Sequence, residues 1–308
     1  TKNNWQGGTL GGVLVVTNAL DVPQSLTQAG SVFTDLPNWP STLRCKAIVP
    51  FKNHLVALNL TDNGALKPFT VRRSDASNGT NTWNTGSSAS ESSETALSDT
   101  DGHILNAMQL GNELIIYKQD SVYALNFVGG NFTFNVREKF KDTGLFARDA
   151  VVDIGDGRHV LMTTNDVVTH NGNSTASVID DRVKTFLFRD IDSVFFHKTF
   201  LAHNKIRNEV WICYPQTGAV NGLVNPALAN TWTANGSLTW QSITFKWSER
   251  SFNPAIDSLL MCGTNDTLFY LADSGITFNG TAFETRLERR GLHSGRTDAV
   301  KAVSAVYP

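Results

Sequence analysis

Apolar residues in this chain occur in short runs separated by polar turns, and residues 111–130 show this arrangement most regularly. An apolar run at 114–117 is followed by the polar pair Gln119 and Asp120 and by a second apolar run at 122–127. Two runs of β-branched and aromatic residues around a short polar turn predict a β-hairpin. We expect the apolar side chains of this hairpin to be buried between neighbouring sheets.

The same strand–turn–strand grouping recurs along the chain. Six groups begin near residues 11, 47, 106, 150, 197 and 258. Residues 24–46 and 84–102 have the composition of loops, and no helical spacing of apolar residues persists beyond two turns. An average of about 51 residues per group is typical of propeller blades, whereas a β-sandwich places seven to nine strands in about 100 residues. The pattern predicts an all-β fold, a β-propeller of about six blades with mostly four antiparallel strands each.

We expect one propeller domain to span residues 1–308, with 284–308 forming either its closing strands or the start of a further domain. No apolar run reaches the roughly 18–20 residues that a membrane span requires. The formal net charge is −2, which argues against a dedicated nucleic-acid binder because such proteins need a basic face. The basic residues near the C-terminus, within 286–301, are interspersed with acidic ones and predict a solvated or inter-subunit face.

Cysteine and histidine are placed too far apart to predict a metal centre. The three cysteines, Cys45, Cys213 and Cys262, include no CxxC pair, so a zinc site or disulfide framework is disfavoured and buried free thiols are expected. None of the seven histidines stands at metal-ligand spacing from a cysteine or carboxylate. We therefore predict no metal and no cofactor.

Four segments invite a chemical interpretation, and each is better explained as a turn. Residues 74–83 resemble the Asp-box turn of sialidase propellers, but the Asp–Gly–Trp spacing does not fit. Residues 99–102 match only half of a calcium loop, and no helix follows the GDG sequence at 155–157 to make a phosphate site. The adjacent carboxylates Asp180 and Asp181 could share acid–base work, but no nucleophile can be assigned, so an exposed turn is expected. The sequence predicts no catalytic residues.

An alternative function follows from the tryptophans. Indole rings can stack on sugar rings, which would make the chain a carbohydrate-binding or carbohydrate-active propeller, although core packing is the commoner role of such residues. The candidates are Trp39, Trp83, Trp211, Trp232, Trp240 and Trp247.

Several phrases together resemble one family of virion proteins. They are TVRRSDASNG, LGNELIIYKQDSVYALNFVGG, FKDTGLFARDAVVDIGDGRHVLMTTNDVVTHNG, IRNEVWICYP and LADSGITFNGTAFET. They resemble the propeller-bearing tail proteins of tailed bacteriophages, above all the nozzle or tubular tail proteins of short-tailed phages. The resemblance extends over residues 13–308, and no single diagnostic motif defines it.

The resemblance implies a non-enzymatic structural role in the virion tail, with assembly in the cytoplasm of the bacterial host. It implies a ring of six copies that contacts portal or adaptor proteins and tail fibres or spikes. DNA would leave through the central channel without specific binding, which the near-neutral charge suits. Nozzle proteins usually have further platform or tip domains, so this chain is expected to be a smaller relative or part of a longer polypeptide.

Overall fold

The computed structural model describes residues 5–76, 83–85, 90–129, 133–205 and 208–217, and the backbone of five further strands. By its contacts the chain divides into two compact units. Unit 1 comprises Thr1–Ala234 and Phe252–Asp257, and unit 2 comprises Asn235–Ser251 and Ser258–Pro308. Residues 284–308 lie outside the described residues, so the single-domain organisation stays a prediction.

Unit 1 begins with four consecutive antiparallel sheets, each of four strands in chain order. Sheet 1 contains β1 (Gln6–Leu10), β2 (Val13–Thr17), β3 (Gln24–Thr27) and β4 (Thr34–Asp35); sheet 2 contains β5 (Leu43–Phe51), β6 (His54–Asp62), β7 (Ala65–Arg73) and β8 (Ser93–Ala96); sheet 3 contains β9 (Ile104–Leu110), β10 (Glu113–Lys118), β11 (Ser121–Phe127) and β12 (Phe134–Lys141); and sheet 4 contains β13 (Val151–Gly155), β14 (Arg158–Met162), β15 (Val167–His170) and β16 (Thr175–Ser177).

A helix and a fifth sheet complete the described part of unit 1. Helix α1 and a short 3₁₀ turn follow sheet 4, and sheet 5 has three described strands. Unit 2 has two described two-stranded ribbons. These elements are α1 (Asp181–Asp190), the 3₁₀ turn (Phe196–Lys198), β17 (Phe200–Asn204), β18 (Glu209–Pro215), β19 (Val224–Ala229), β20 (Leu260–Cys262), β21 (Phe269–Leu271), β22 (Thr277–Phe278) and β23 (Thr281–Ala282).

The predicted hairpin of residues 111–130 is confirmed as β10 and β11, the two central strands of sheet 3. Successive side chains of a strand point to opposite faces, and both faces of β10 are buried. Leu114 and Ile116 join a hydrophobic cluster with sheet 2, while Ile115 and Tyr117 join another with sheet 4. The hairpin is therefore packed between two neighbouring sheets, as its apolar pattern predicts.

Sheets 1 and 2 are joined in the same way. Val15 of β2 and Leu55 of β6 are fully buried in a third cluster, which Trp83 of the β7–β8 connection completes. Consecutive four-stranded sheets stacked face to face are the architecture of a β-propeller, so the predicted all-β fold class is confirmed. The number of six blades stays a prediction, because much of the chain after residue 217 lies outside the described residues.

The first strands of the sheets meet at the inner edge of the stack, where β5 contacts both β1 and β9. Gln6 Oε1 accepts from the Ile48 backbone N–H at 2.9 Å, and Gln6 Nε2 donates to Asn106 Oδ1 at 3.3 Å. Asn106 Nδ2 donates to the Arg148 carbonyl oxygen at 2.8 Å. This inner-edge network, Gln6–Ile48–Asn106–Arg148, links the first strands of sheets 1, 2 and 3 to the segment that enters sheet 4.

Residues 24–46 are mostly loop, as the sequence predicts, although they also contain β3, β4 and the start of β5. Two other sequence expectations need correction. The low-complexity segment 84–102 contains β8, which has too few apolar residues to show a strand pattern but pairs with β7 through its backbone. Residues 181–190 form a helix, although their apolar spacing is too short to predict one.

Candidate binding site

A surface groove on unit 1 brings together residues from sheet 2 and two loops. Its volume is about 420 Å³. Arg72 lies on β7, and the other lining residues belong to the β4–β5 and β7–β8 connections. The Trp83 groove is lined by Asn38, Pro40, Arg72, Trp83, Asn84 and Thr85.

The guanidinium of Arg72 is fixed by two partners. One terminal nitrogen lies 3.1 Å from Glu94 Oε2, and the other donates to the Trp83 carbonyl oxygen. Lys67 Nζ also contacts Glu94, at 3.3 Å, so the carboxylate is shared between two cations. Arg72 Nε, by contrast, is buried and has no hydrogen-bond partner in the described part of the chain.

Trp83 contributes a second buried donor to the same groove. Its ring packs edge-on against Trp39 with centroids 4.6 Å apart, and it is only 2% exposed. Its Nε1–H has no hydrogen-bond partner among the described residues. Buried donors are almost always paired, so these two N–H groups, which have no partner among the described residues, are an unusual feature of the groove wall.

The tryptophans proposed for sugar stacking are buried wherever the structure describes them. Trp39 Nε1 donates to the Leu43 carbonyl oxygen at 2.8 Å, and Trp211 Nε1 donates to Glu209 Oε2 at 3.0 Å. With Trp83 they belong to the core, which is their commoner role. The remaining three candidates lie outside the described residues: Trp232, Trp240 and Trp247.

The adjacent carboxylates Asp180 and Asp181 are at the beginning of α1, not in an isolated turn. Asp180 Oδ1 accepts from the Val183 backbone N–H at 2.8 Å, which is the geometry of an N-cap. Asp181 is the first helical residue, where a negative charge suits the helix dipole. The helix thus accounts for both carboxylates structurally.

The oxygen-rich segment at 99–102 is associated with a cation of the protein itself. Lys118 is fully buried, and its Nζ donates to the Leu97 carbonyl oxygen and to Thr100 Oγ1, both at 2.8 Å. Burial lowers the pKa of Lys118, and the carboxylates of Asp101, Asp120 and Asp99 oppose that shift. The Lys118 ammonium therefore binds oxygen atoms of residues 97 and 100, next to the segment that resembles half a calcium loop.

Other candidates resolve as structural features. Residues 156 and 157 of the GDG sequence form the turn between β13 and β14. At the Asp-box-like segment, Asp75 Oδ1 accepts from the backbone N–H of Ser92 and from Ser90 Oγ, both at 2.7 Å. Residues 77–82 of that segment lie outside the described residues.

The two described cysteine thiols behave as the sequence predicts. Cys45 and Cys213 are buried free thiols, and burial raises the pKa of each to about 12. The side chain of Cys262 lies outside the described residues. In the part of the chain that the structure describes, no three His, Cys, Asp or Glu side chains come together as metal ligands.

One buried polar cluster was missed by the sequence analysis. His159 on β14 and His170 on β15 are direct cross-strand partners, and both contact the hydroxyl of Tyr117 on β10. The two histidines are 11 residues apart, a separation at which two strands of a hairpin can place them opposite each other. This spacing is the feature of the sequence that could have indicated the pair.

Comparison with solved structures shows similarity to proteins of low sequence identity. The extracellular domain of a hybrid two-component system from B. thetaiotaomicron is 11% identical with a TM-score of 0.41, and the alignment covers 67% of this chain and 25% of that chain. Sqt1 of Saccharomyces cerevisiae is 7% identical with a TM-score of 0.43, covering 69% and 57%. An ancestral GH74 enzyme is 11% identical with a TM-score of 0.41, covering 70% and 27%.

This chain therefore spans between about a quarter and about three fifths of the length of those structures. None of the three is described as a tail protein. No protein-family model and no curated protein matches the sequence. The stacked four-stranded sheets define the class as β-propeller-like. Among the described residues, no helix is both long and apolar enough to cross a membrane.

Proposed function

We propose that this protein is a non-enzymatic structural component of a bacteriophage tail, a propeller used as a rigid block in a nozzle-type ring. The proposal starts from the sequence resemblance to tail nozzle proteins. The inner-edge network determines where DNA could pass in this proposal. A 3.3 Å hydrogen bond between Gln6 and Asn106 leaves no room for a duplex between sheets 1 and 3, so a DNA conduit would have to lie between copies of the chain.

In this proposal the protein resides in the virion and is assembled in the host cytoplasm. Six copies form the ring, and they contact portal or adaptor proteins on one side and fibres or spikes on the other. DNA passes through the ring without sequence-specific binding. Dense packing on both faces of the central sheets would suit such a block, because close-packed interiors deform little under load.

The oligomeric state tests this proposal. We expect native mass measurement of the purified chain to show about six times its 33.7 kDa mass, and reconstructed particles to place it in a ring below the portal. A strictly monomeric protein that is absent from particles would contradict the proposal.

The Trp83 groove favours a second candidate function, the binding of a carbohydrate. Arg72 Nε and Trp83 Nε1 have no partner among the described residues and could donate to the hydroxyl or carboxylate oxygens of a sugar once the groove opens enough to expose them. Neither ring face of Trp83 is needed for this, since the indole would act through its N–H group.

A glycan array followed by calorimetry tests this candidate. We expect Trp83→Phe, which keeps an aromatic ring but removes the donor, to weaken binding of the best array ligand about tenfold, as loss of one hydrogen bond predicts. Lys67→Met is the matched control, since it removes a different partner of Glu94 outside the groove. Absence of any array ligand for the wild-type protein would exclude the groove as a glycan site.

A further inference from the structure

Tyr117, His159 and His170 form a buried polar cluster between sheets 3 and 4, referred to here as the Tyr117 cluster. Tyr117 Oη lies 2.6 Å from His159 Nδ1 and 2.7 Å from His170 Nε2. The three residues are at most 2% exposed. The cluster is the main polar feature within an otherwise apolar region that includes Leu161 and Ile115.

The outer contacts of the two rings determine where their protons lie. The Gly172 backbone N–H donates to His170 Nδ1 at 3.2 Å, so this nitrogen has no proton and Nε2–H donates to Tyr117 Oη. His159 Nε2 lies 3.0 Å from the Gln109 carbonyl oxygen, which can only accept. His159 Nε2 is therefore protonated, and Nδ1 accepts from the Tyr117 hydroxyl.

This arrangement is a one-directional chain of hydrogen bonds in which every polar atom of the cluster is satisfied. It requires both imidazoles to be neutral. A proton added to His170 Nδ1 would face the Gly172 N–H, another donor. A proton added to His159 Nδ1 would displace the Tyr117 hydroxyl proton, which then has no acceptor within this row of hydrogen bonds.

The charged groups around the cluster do little to compensate for an added proton. From β12, Lys139 faces His170, and its charge is shared with Glu113 of β10 at 2.8 Å. From β13, Asp153 lies near His159 and Tyr117. Gln109 of β9 presents only its backbone carbonyl.

The imidazole pKa values agree with the hydrogen-bond geometry. Burial lowers the pKa of His159, opposed by the Gln109 hydrogen bond and by Asp153. Burial lowers the pKa of His170 to about 4, with smaller contributions from His159 when that ring is protonated and from the charge of Lys139.

We propose that the Tyr117 cluster is an acid-sensitive joint that holds sheet 3 against sheet 4 while both imidazoles are neutral and releases them when the imidazoles gain protons. The unfolded histidine titrates near pH 6.5, above the folded pKa, so the opened form binds more protons. The stabilisation is complete above about pH 6.5 and is lost progressively as the pH falls toward about 4. Each imidazole would then raise the opening equilibrium constant up to tenfold per pH unit.

Hydrogen exchange of the intact protein between pH 8 and 4, corrected for intrinsic exchange, tests the proposal. We expect protection of the Val160 and Val168 amides to fall at least tenfold more over this range than that of Val13 and Val15 in sheet 1, which contains no histidine. The double variant His159→Gln/His170→Gln retains donors and acceptors but does not titrate. The protection of its Val160 and Val168 amides should therefore lose the pH dependence that the two imidazoles cause. His103→Gln is the matched control, since His103 is an exposed histidine away from the cluster.

Two outcomes would overturn the proposal. One is an equal pH dependence in the wild-type protein and the double variant, with His54 retained in both. The other is an equal loss of protection in sheet 1. If the double variant does not fold, ¹H–¹⁵N spectra of the wild-type imidazoles decide: the proposal requires the neutral tautomers assigned above until protection is lost, and titration of either ring near pH 6.5 with full protection contradicts it.

Discussion

Replacement of Ile116 by Asp is expected to unfold unit 1. Ile116 is fully buried at the middle of β10, paired with Tyr123 on one side and Ala107 on the other. The change removes about 2 kcal/mol of apolar burial and places an unpaired carboxylate in the core at a cost of several kcal/mol more. The sum is comparable with the roughly 5–15 kcal/mol stability of an ordinary domain.

Circular dichroism with urea unfolding measures this effect, and two controls define it. Ile116→Val keeps the buried chain and should cost only about 1 kcal/mol. Gln119→Ala, in the turn of the same hairpin, removes an exposed side-chain bond to the His103 backbone N–H and should cost about 0.5 kcal/mol. A folded Ile116→Asp protein with an unchanged midpoint would show that β10 is not packed between sheets 2 and 4.

Replacement of Gly144 by Ala is expected to be the second most damaging change. A Cβ atom at this position would lie 1.8 Å from the Gln119 carbonyl oxygen and 2.4 Å from the Asp120 backbone nitrogen. The obstacle is main chain in the hairpin turn, which cannot rotate away as a side chain can. We expect a loss of about 3 kcal/mol in unfolding free energy, at the upper end of ordinary overpacking.

The hairpin turn thus depends on its backbone more than on its side chains, and paired unfolding curves can show this. Gly30→Ala is the matched control, because its closest contacts, the Thr27 hydroxyl at 3.0 Å and the Thr27 carbonyl oxygen at 3.2 Å, are far less severe than those at Gly144. It should cost much less than Gly144→Ala. Equal midpoints for the two variants would mean that residue 144 does not pack on the turn.

The fold class was predictable because the strongest signals were local. The apolar runs around Gln119 and Asp120 gave both the strands and the turn of sheet 3, and burial of both faces of β10 explains why its apolar run is continuous. Where a strand has few apolar residues, its alternation of apolar and polar positions was too weak to predict it. β8 is polar, and its pairing with β7 is accompanied by contacts from Arg72 to Glu94 and from Arg73 to Ser93.

Helix α1 escaped prediction for a similar reason. It has only 10 residues, with Leu187 as its one buried residue, so its apolar stripe is short. The Asp180 cap was visible in the sequence, but Asp is favoured both in turns and at helix N-caps. Asp180 could be recognised as a helix cap only after the structure showed that Val183 and Leu187 face the core.

The candidate sites depend on distant parts of the chain, which explains why the sequence did not reveal them. Tyr117 is 42 residues from His159 and 53 from His170, and the three meet only because sheets 3 and 4 stack in one register. The Trp83 groove likewise combines Arg72 on β7 with the β4–β5 connection. Residue types alone indicate neither the burial nor the missing partners that make these places distinctive.

The inner-edge network has a consequence for the order of folding. Each four-stranded sheet is formed from a continuous segment, so most strand pairings have low contact order and can form early. The bond between Gln6 and Asn106 instead joins residues 100 positions apart. Because the loop-closure entropy of such a contact must be overcome before the contact stabilises anything, β1 should dock onto the inner edge late, after sheets 2 and 3 have assembled.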